Sequence, residues 1–199
     1  MAGASAATVT VVAMDDHGKP AANAVVSLAP SDGAQIAVHT PEKSVIAQRD
    51  EMFMPLVVVV RRGGGVVFTN NDTTMHQVYS FAPIKQFEFE IDQGQVSKPV
   101  VFDKAGVAAI GCNIHDQMIA YVYVADAPFA AMTDANGRAE FKDVPAGAYR
   151  ANLWHPKLPP GHSWPVKPLS VTGDGANVSF SVPLLAPDPR GMKHMHMDY

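Results

Sequence analysis

The chain has 199 residues, 47% of them hydrophobic, and its 15 basic and 19 acidic side chains give a formal net charge of -4. That length suits one large domain or two small ones with a real core, and 16 prolines and 15 glycines scattered between short Val- and Ala-rich runs describe a folded β-protein. Mixed charge without a basic stripe excludes nucleic acid as a partner, and no apolar run approaches the roughly 20 residues of a transmembrane segment.

Taken in chain order, twelve short β-branched or alternating runs bounded by turn residues are predicted as strands. ATVTVVAM and NAVVSLA come first. LVVVV, GVVFTN, HQVYSF, FEFEI, KPVVF and IAYVYVA fill the middle, and AEFKDV, AYRANLW, PLSVTG and NVSFSVPLL follow. Helical periodicity over four turns is absent, although APIKQFEF has room for one helical turn. The fold class is all-β, a sandwich. The opening MAGASAAT has neither the charged nor the apolar region of an export signal, which is read as a mature exported chain whose signal peptide is gone.

Chemistry concentrates in IGCNIHDQMIAYVYV. Cys112 is the single cysteine, so an internal disulfide is excluded and a buried thiol, a nucleophile or a metal ligand remains. A cysteine beside a histidine is ordinarily core packing. Here His115 and Met118 follow at intervals of three, supplying a soft thiolate, an imidazole and a weak thioether on one short loop. With a second imidazole these make the trigonal His2Cys set with a long axial Met that holds copper. That imidazole should come from an earlier strand, and FTNNDTTMHQVYSF offers His76. A cysteine nucleophile would want a histidine from a distant segment and a helix N-terminus or base to lower its pKa. A structural zinc site would want more thiolates or histidines and no methionine. His17 and His39 read as turn residues, and His155 and His162, among prolines and tryptophans, as ordinary histidines.

On these residues the segment 43–126 resembles a cupredoxin, of the plastocyanin or amicyanin type. MPLVVVVRRGGGVVFTNND followed by MH is similar to that family's strand, G-x-x-V-x-F/W-x-N and histidine, and VVFDKAGVAAIGCNIHDQM to its F-x-x-x-G and C-x-x-H-x-x-M. The resemblance implies a Greek-key β-sandwich with one mononuclear Cu(I)/Cu(II) ion, His76, Cys112 and His115 as strong ligands and Met118 as the axial one. It makes Asn70 the asparagine that ties the two copper-bearing loops together, with Gln77 and Asn113 as further residues behind the ligands. The chain departs from the family at Gly111, where an aromatic residue is usual, and at Asp116 and Gln117, which make the surface beside the second histidine more polar.

A second resemblance covers the flanks. TVTVVAMDDHGKPAANAVVSL and TDANGRAEFKDVPAGAYRANLWHP each carry a D-x-x-G turn between strands and are together similar to a carboxypeptidase regulatory-like, or transthyretin-like, sandwich. It implies that residues 1–30 and 127–186 are two parts of one sandwich with the cupredoxin segment, 31–126, inserted where loop ends lie close together. Two sequential domains with similar turns are the other organisation. Residues 187–199 are a Met/His-rich flexible tail.

The function these readings imply is a periplasmic type 1 copper protein that carries single electrons and is not an enzyme. Its redox partner would be a cytochrome or a copper enzyme. A copper enzyme would need a second, His-rich site, and no His-x-His pair stands outside the tail; a dinuclear electron-entry site would need two cysteines. The alternative is copper resistance, sequestration or delivery to a copper-transport protein. It is motivated by Met192, His194, Met195, His196 and Met197, where thioethers that favour Cu(I) alternate with imidazoles and could hold a second, weak copper.

Overall fold

Along the middle of the chain every second side chain turns inward, as the two-residue period of a strand requires. In β6 below, Gly64, Val66, Phe68 and Asn70 are buried and the residues between them are half-buried. The computed structural model describes residues 6–34, 36, 43–115 and 117–186, which form sixteen strands and no helix. Among them no helix is long and apolar enough to cross a membrane.

In chain order the strands are β1 (Ala6–Asp15), β2 (Val25–Pro30), β3 (Ser44–Arg49), β4 (Met52–Met54), β5 (Val57–Arg61), β6 (Gly64–Asn70), β7 (His76–Ala82) and β8 (Lys85–Ile91). There follow β9 (Val100–Phe102), β10 (Gly106–Cys112), β11 (Ile119–Ala125), β12 (Phe129–Met132), β13 (Arg138–Pro145), β14 (Gly147–Trp154), β15 (Val166–Val171) and β16 (Ala176–Val182). They divide into two units. One takes in the described residues of Met1–His39 and Ala127–Leu185, the other those of Thr40–Asp126 with Ala186.

The first unit packs the sheet β13-β1-β16 against the sheet β12-β2-β14-β15. β1 runs antiparallel to β13 and parallel to β16. Val9 and Val11 of β1, Leu28 of β2, Phe141 of β13, Leu153 of β14 and Phe180 of β16 meet in one core, which is how a sandwich closes. Its two D-x-x-G turns are built alike. Asp15 Oδ1 accepts the amides of His17 (2.9 Å) and Lys19 (2.7 Å), and Asp134 Oδ1 those of Asn136 (2.9 Å) and Arg138 (2.9 Å). Each ends on a glycine in the left-handed region, Gly18 at φ 77° and Gly137 at φ 72°, where a side chain is disfavoured.

The second unit packs the sheet β5-β11-β10-β7-β8 against the sheet β4-β3-β6-β9. Phe68 of β6 is fully buried at the centre, with the rings of Phe53, Phe87 and Phe89 at 6.5, 5.9 and 5.7 Å from its own. Burying such a ring stabilises by about 1.5–3 kcal/mol, so this aromatic group anchors one sheet on the other.

Two readings of the sequence are corrected. APIKQFEF holds no helical turn: β7 and β8 pair as a hairpin whose last rung is Ala82↔Lys85, leaving Pro83 and Ile84 as a two-residue connection. Four strands, β3, β4, β10 and β12, were not among the twelve predicted runs. β10, GVAAIGC, is rich in residues of low strand propensity, and its pairing with β11 on one side and β7 on the other overrides that preference.

Candidate metal centre

Strand pairing brings the candidate ligands together. β7 opens on His76 and β10 closes on Cys112, and the two are neighbours through the rungs Gly111↔Tyr79 and Cys112↔Val78. β10 then pairs with β11 from Gly106↔Val124 to Gly111↔Ile119. The described residues between β10 and β11, 113–115, 117 and 118, are therefore held beside the start of β7. Among them the Met118 amide donates to the His115 carbonyl at 2.9 Å.

One donor atom each from His76, Cys112 and His115 lies within 4.8 Å of the other two, the one such cluster of His, Cys, Asp or Glu donors among the described residues. His76 Nδ1 is 3.6 Å from Cys112 Sγ. The two imidazole centroids are 5.3 Å apart. His76 is fully buried, Cys112 and Met118 are each 2% exposed, and both sulfur residues belong to the core of this unit.

A carboxylate stands on the far side of each ring, hydrogen-bonded to His76 and within 3.3 Å of His115. His76 Nε2 is 2.8 Å from Asp72 Oδ2. An ionised carboxylate only accepts, so Nε2 carries the proton and Nδ1 turns its lone pair to the thiol. His115 Nε2 lies 3.3 Å from Glu51 Oε1, while its Nδ1 is buried without a hydrogen-bond partner. Leaving such an atom unsatisfied costs about 1–3 kcal/mol, a cost that a bound cation would remove.

The donor set fits a first-row metal ion. Bonds of about 2.0 Å to nitrogen and about 2.3 Å to sulfur, at angles between tetrahedral and trigonal, separate N from S by about 3.5–3.7 Å. The 3.6 Å between His76 Nδ1 and Cys112 Sγ meets that requirement. A thiol can donate a hydrogen bond to Nδ1 across that gap, and a metal there would take the place of the thiol proton, since the ligand is the thiolate.

The residues expected behind the ligands have distinct places. Asn70, fully buried, donates from Nδ2 to the carbonyls of Thr74 (2.8 Å) and Ile91 (2.9 Å) and accepts the Asp72 amide at Oδ1 (2.9 Å). It shapes the loop before His76, and these partners lie outside 112–118. The tie to the Cys112 loop is made by Gln77 and Asn113. Asn113 Nδ2 donates to Gln77 Oε1 at 2.9 Å, the Asn113 amide donates to the Gln77 carbonyl at 3.2 Å, and Gln77 Nε2 donates to Glu88 Oε1 at 2.6 Å. Gln77 in β7 and Asn113, the residue after β10, can do this because they reach each other directly, whereas Asn70 sits on β6 in the other sheet.

Asp72 and Glu51 were not singled out from the sequence. Neither stands at a motif position, and Glu51 belongs to a hairpin whose strands, β3 and β4, were themselves not predicted. An acidic residue four before His76 was the one signal present for Asp72. At Gly111, Tyr79 supplies bulk from the neighbouring strand: a Cβ there would lie 2.6 Å from its ring. Among the remaining histidines, His155 is buried, its Nε2 3.0 Å from the Ala22 carbonyl and its Nδ1 accepting the Lys157 amide at 2.9 Å. His17 and His162 are exposed. His39, Asp116 and the tail residues Met192, His194, Met195, His196 and Met197 lie outside the described residues.

No family model matches the chain, and no curated protein matches it. Solved structures similar to part of it include a novel purple cupredoxin from Nitrosopumilus maritimus, 22% identical over 41% of this chain and 99% of that one, with a TM-score of 0.38. Amicyanin from Paracoccus versutus is 17% identical over 49% of this chain and 91% of its own, at a TM-score of 0.37. The copper-containing nitrite reductase of Thermus scotoductus SA-01 is 20% identical over 49% of this chain, at a TM-score of 0.40, but only 27% of that enzyme is covered. The chemistry of the centre is accordingly read from its own donor atoms.

Proposed function

We propose that this chain is a single-electron carrier whose cofactor is one copper ion held by His76, Cys112 and His115, with Met118 as a weak fourth donor. The observation that carries the reading is the convergence of His76 Nδ1 and Cys112 Sγ, 3.6 Å apart, in one cluster with His115, whose buried Nδ1 has no hydrogen-bond partner. Copper bound there would alternate between its +1 and +2 states, taking up and releasing one electron.

The protein's part is to hold donors that suit both states and to keep water out. The thiolate and the two imidazoles are a compromise between a soft and a harder ion, and burial of His76, Cys112 and Met118 leaves the inner side of the site dry. Four donors leave no open position for a substrate, which is why the reading is a carrier and not an enzyme. Only His115 has a side chain partly open to solvent, 19% against 0% for His76. Ile114 and Met75, each next in sequence to a histidine of the site, are exposed apolar residues. They suit docking of a redox partner such as a cytochrome or a copper enzyme. The same reading puts the protein in the periplasm. It also takes the first unit as a regulatory-like sandwich and residues 31–126 as an insertion, which the pairing of β1 with β13 and β16 supports.

The test is to load the protein with Cu(II), record the visible spectrum, and cycle it with a one-electron reductant and oxidant. An intense thiolate-to-copper band that bleaches and returns supports the reading. A colourless protein, or one whose colour does not return, overturns it.

A further inference from the structure

The copper reading leaves unexplained why two acidic residues outside the ligand motifs approach both imidazoles. The β3–β4 hairpin is closed by Asp50 and Glu51, with φ of 54° and 55°. Two consecutive left-handed residues are what a two-residue hairpin turn of the primed type requires, and asparagine and glycine normally fill it. Side chains with a Cβ are disfavoured there by roughly 1–2 kcal/mol each, so something outside the turn must hold it.

Asp72 does so. Its Oδ1 accepts the Asp50 amide at 2.6 Å, and its Oδ2 accepts the Glu51 amide at 3.2 Å. The same Oδ2 receives His76 Nε2 at 2.8 Å. The turn so held aims the Glu51 carboxylate at His115 Nε2, 3.3 Å away. One carboxylate, on a residue whose backbone amide donates to Asn70 Oδ1, therefore touches one imidazole directly and reaches the other through the hairpin.

We infer that Asp72 is a positioning residue for both histidines of the centre, acting directly on His76 and, through the Asp50–Glu51 turn and the Glu51 side chain, on His115. This rests on the copper reading only for its consequence. The arrangement itself, a carboxylate hydrogen-bonded to His76 Nε2 and a second one 3.3 Å from His115 Nε2, belongs to the metal-free protein. Carboxylates behind ligating imidazoles fix the ring and raise its basicity, and losing one typically costs 10–100-fold in metal affinity.

The experiment is a comparison of ring-nitrogen NMR spectra of metal-free wild-type protein and of the Asp72→Ala, Asp72→Asn and Glu51→Ala variants at one pH, followed by Cu(II) competition titrations. The wild type is expected to show the Nε2–H tautomer at both His76 and His115; Nδ1–H at either ring overturns the inference. Asp72→Ala is expected to perturb both rings, Glu51→Ala that of His115 alone. Perturbation of only His76 in Asp72→Ala would remove the turn-mediated half of the inference and so refute it. Should Asp72→Ala fail to fold, Asp72→Asn decides. It keeps one acceptor oxygen where two are needed, and both rings unchanged in it overturns the inference. In the titrations, copper affinity about 10–100-fold weaker in the Asp72 variants supports the assignment, and equal affinity contradicts it. If wild-type protein bound no copper, the proposed function would fail, while the ring spectra would still judge the positioning role.

Discussion

His76 and Cys112, 36 positions apart, face each other across neighbouring strands with Nδ1 and Sγ 3.6 Å apart. With the proton of the ring pinned on Nε2 by Asp72, the pair is a thiol hydrogen bond that a metal ion can take over. Cys112→Ser should therefore abolish the visible band of the copper-loaded protein and its one-electron cycle, checked by absorption spectroscopy and copper analysis. A serine variant that kept the band would remove Cys112 from the site.

Met118 is read as the weak donor. Met118→Leu keeps volume in a buried position, so stability should change by less than about 1.5 kcal/mol and copper should still bind. The potential should rise, because a donor that helps hold Cu(II) has gone. Voltammetry checks this, and an unchanged potential would argue that the thioether does not act on the metal.

Gly111 precedes Cys112 and lies under the ring of Tyr79, whose Cζ and Oη would each be 2.6 Å from an added Cβ. Gly111→Ala should displace the ring and cost about 1–3 kcal/mol, the usual range for overpacking. A double-mutant cycle with Tyr79→Ala tests the cause. The penalty should shrink when the ring is already gone; an additive result would place the strain elsewhere.

Gly137 ends the second D-x-x-G turn at φ 72°, where a Cβ would run into the Ala13 carbonyl oxygen. Gly137→Ala should destabilise the first unit by more than about 1–2 kcal/mol, the left-handed penalty alone. Both tryptophans, Trp154 and Trp164, lie in that unit, so urea titration followed by tryptophan fluorescence reports on it. The copper spectrum should be retained.

Burial holds the His155 imidazole below its ordinary pKa of 6.5, although its bond to the Ala22 carbonyl works in the opposite direction. A histidine with a lowered folded pKa binds fewer protons folded than unfolded in the window below about 6.5. Its contribution is thus complete above that pH and lost as pH falls towards the folded value. The urea midpoint by tryptophan fluorescence should drop between pH 7.5 and 5.5, and His155→Gln should flatten that slope. A slope unaffected by the substitution would assign the acid sensitivity to other groups.

Local order was legible wherever one face of a strand is buried and turn residues punctuate it. β1, β6, β7, β11 and β14 announce themselves by β-branched and aromatic runs, and Cys112, His115 and Met118 by spacing alone, since three residues on a short loop are neighbours in any fold. β10 was not legible, because GVAAIG has little strand preference of its own and is a strand only through the partners on either side. Likewise the turn at Asp50 and Glu51 defies its residues' backbone preference and exists because Asp72, more than 20 positions away, bonds both amides. By itself the sequence determined which atoms could bind a metal, and the all-β class. Only the tertiary structure decided which ring nitrogens the acidic residues approach, that Gln77 and Asn113 join the segments carrying His76 and Cys112, and that acidic residues stand behind both imidazoles. Those outcomes depend on hydrogen bonds and contacts between segments far apart in the chain, which no local pattern encodes.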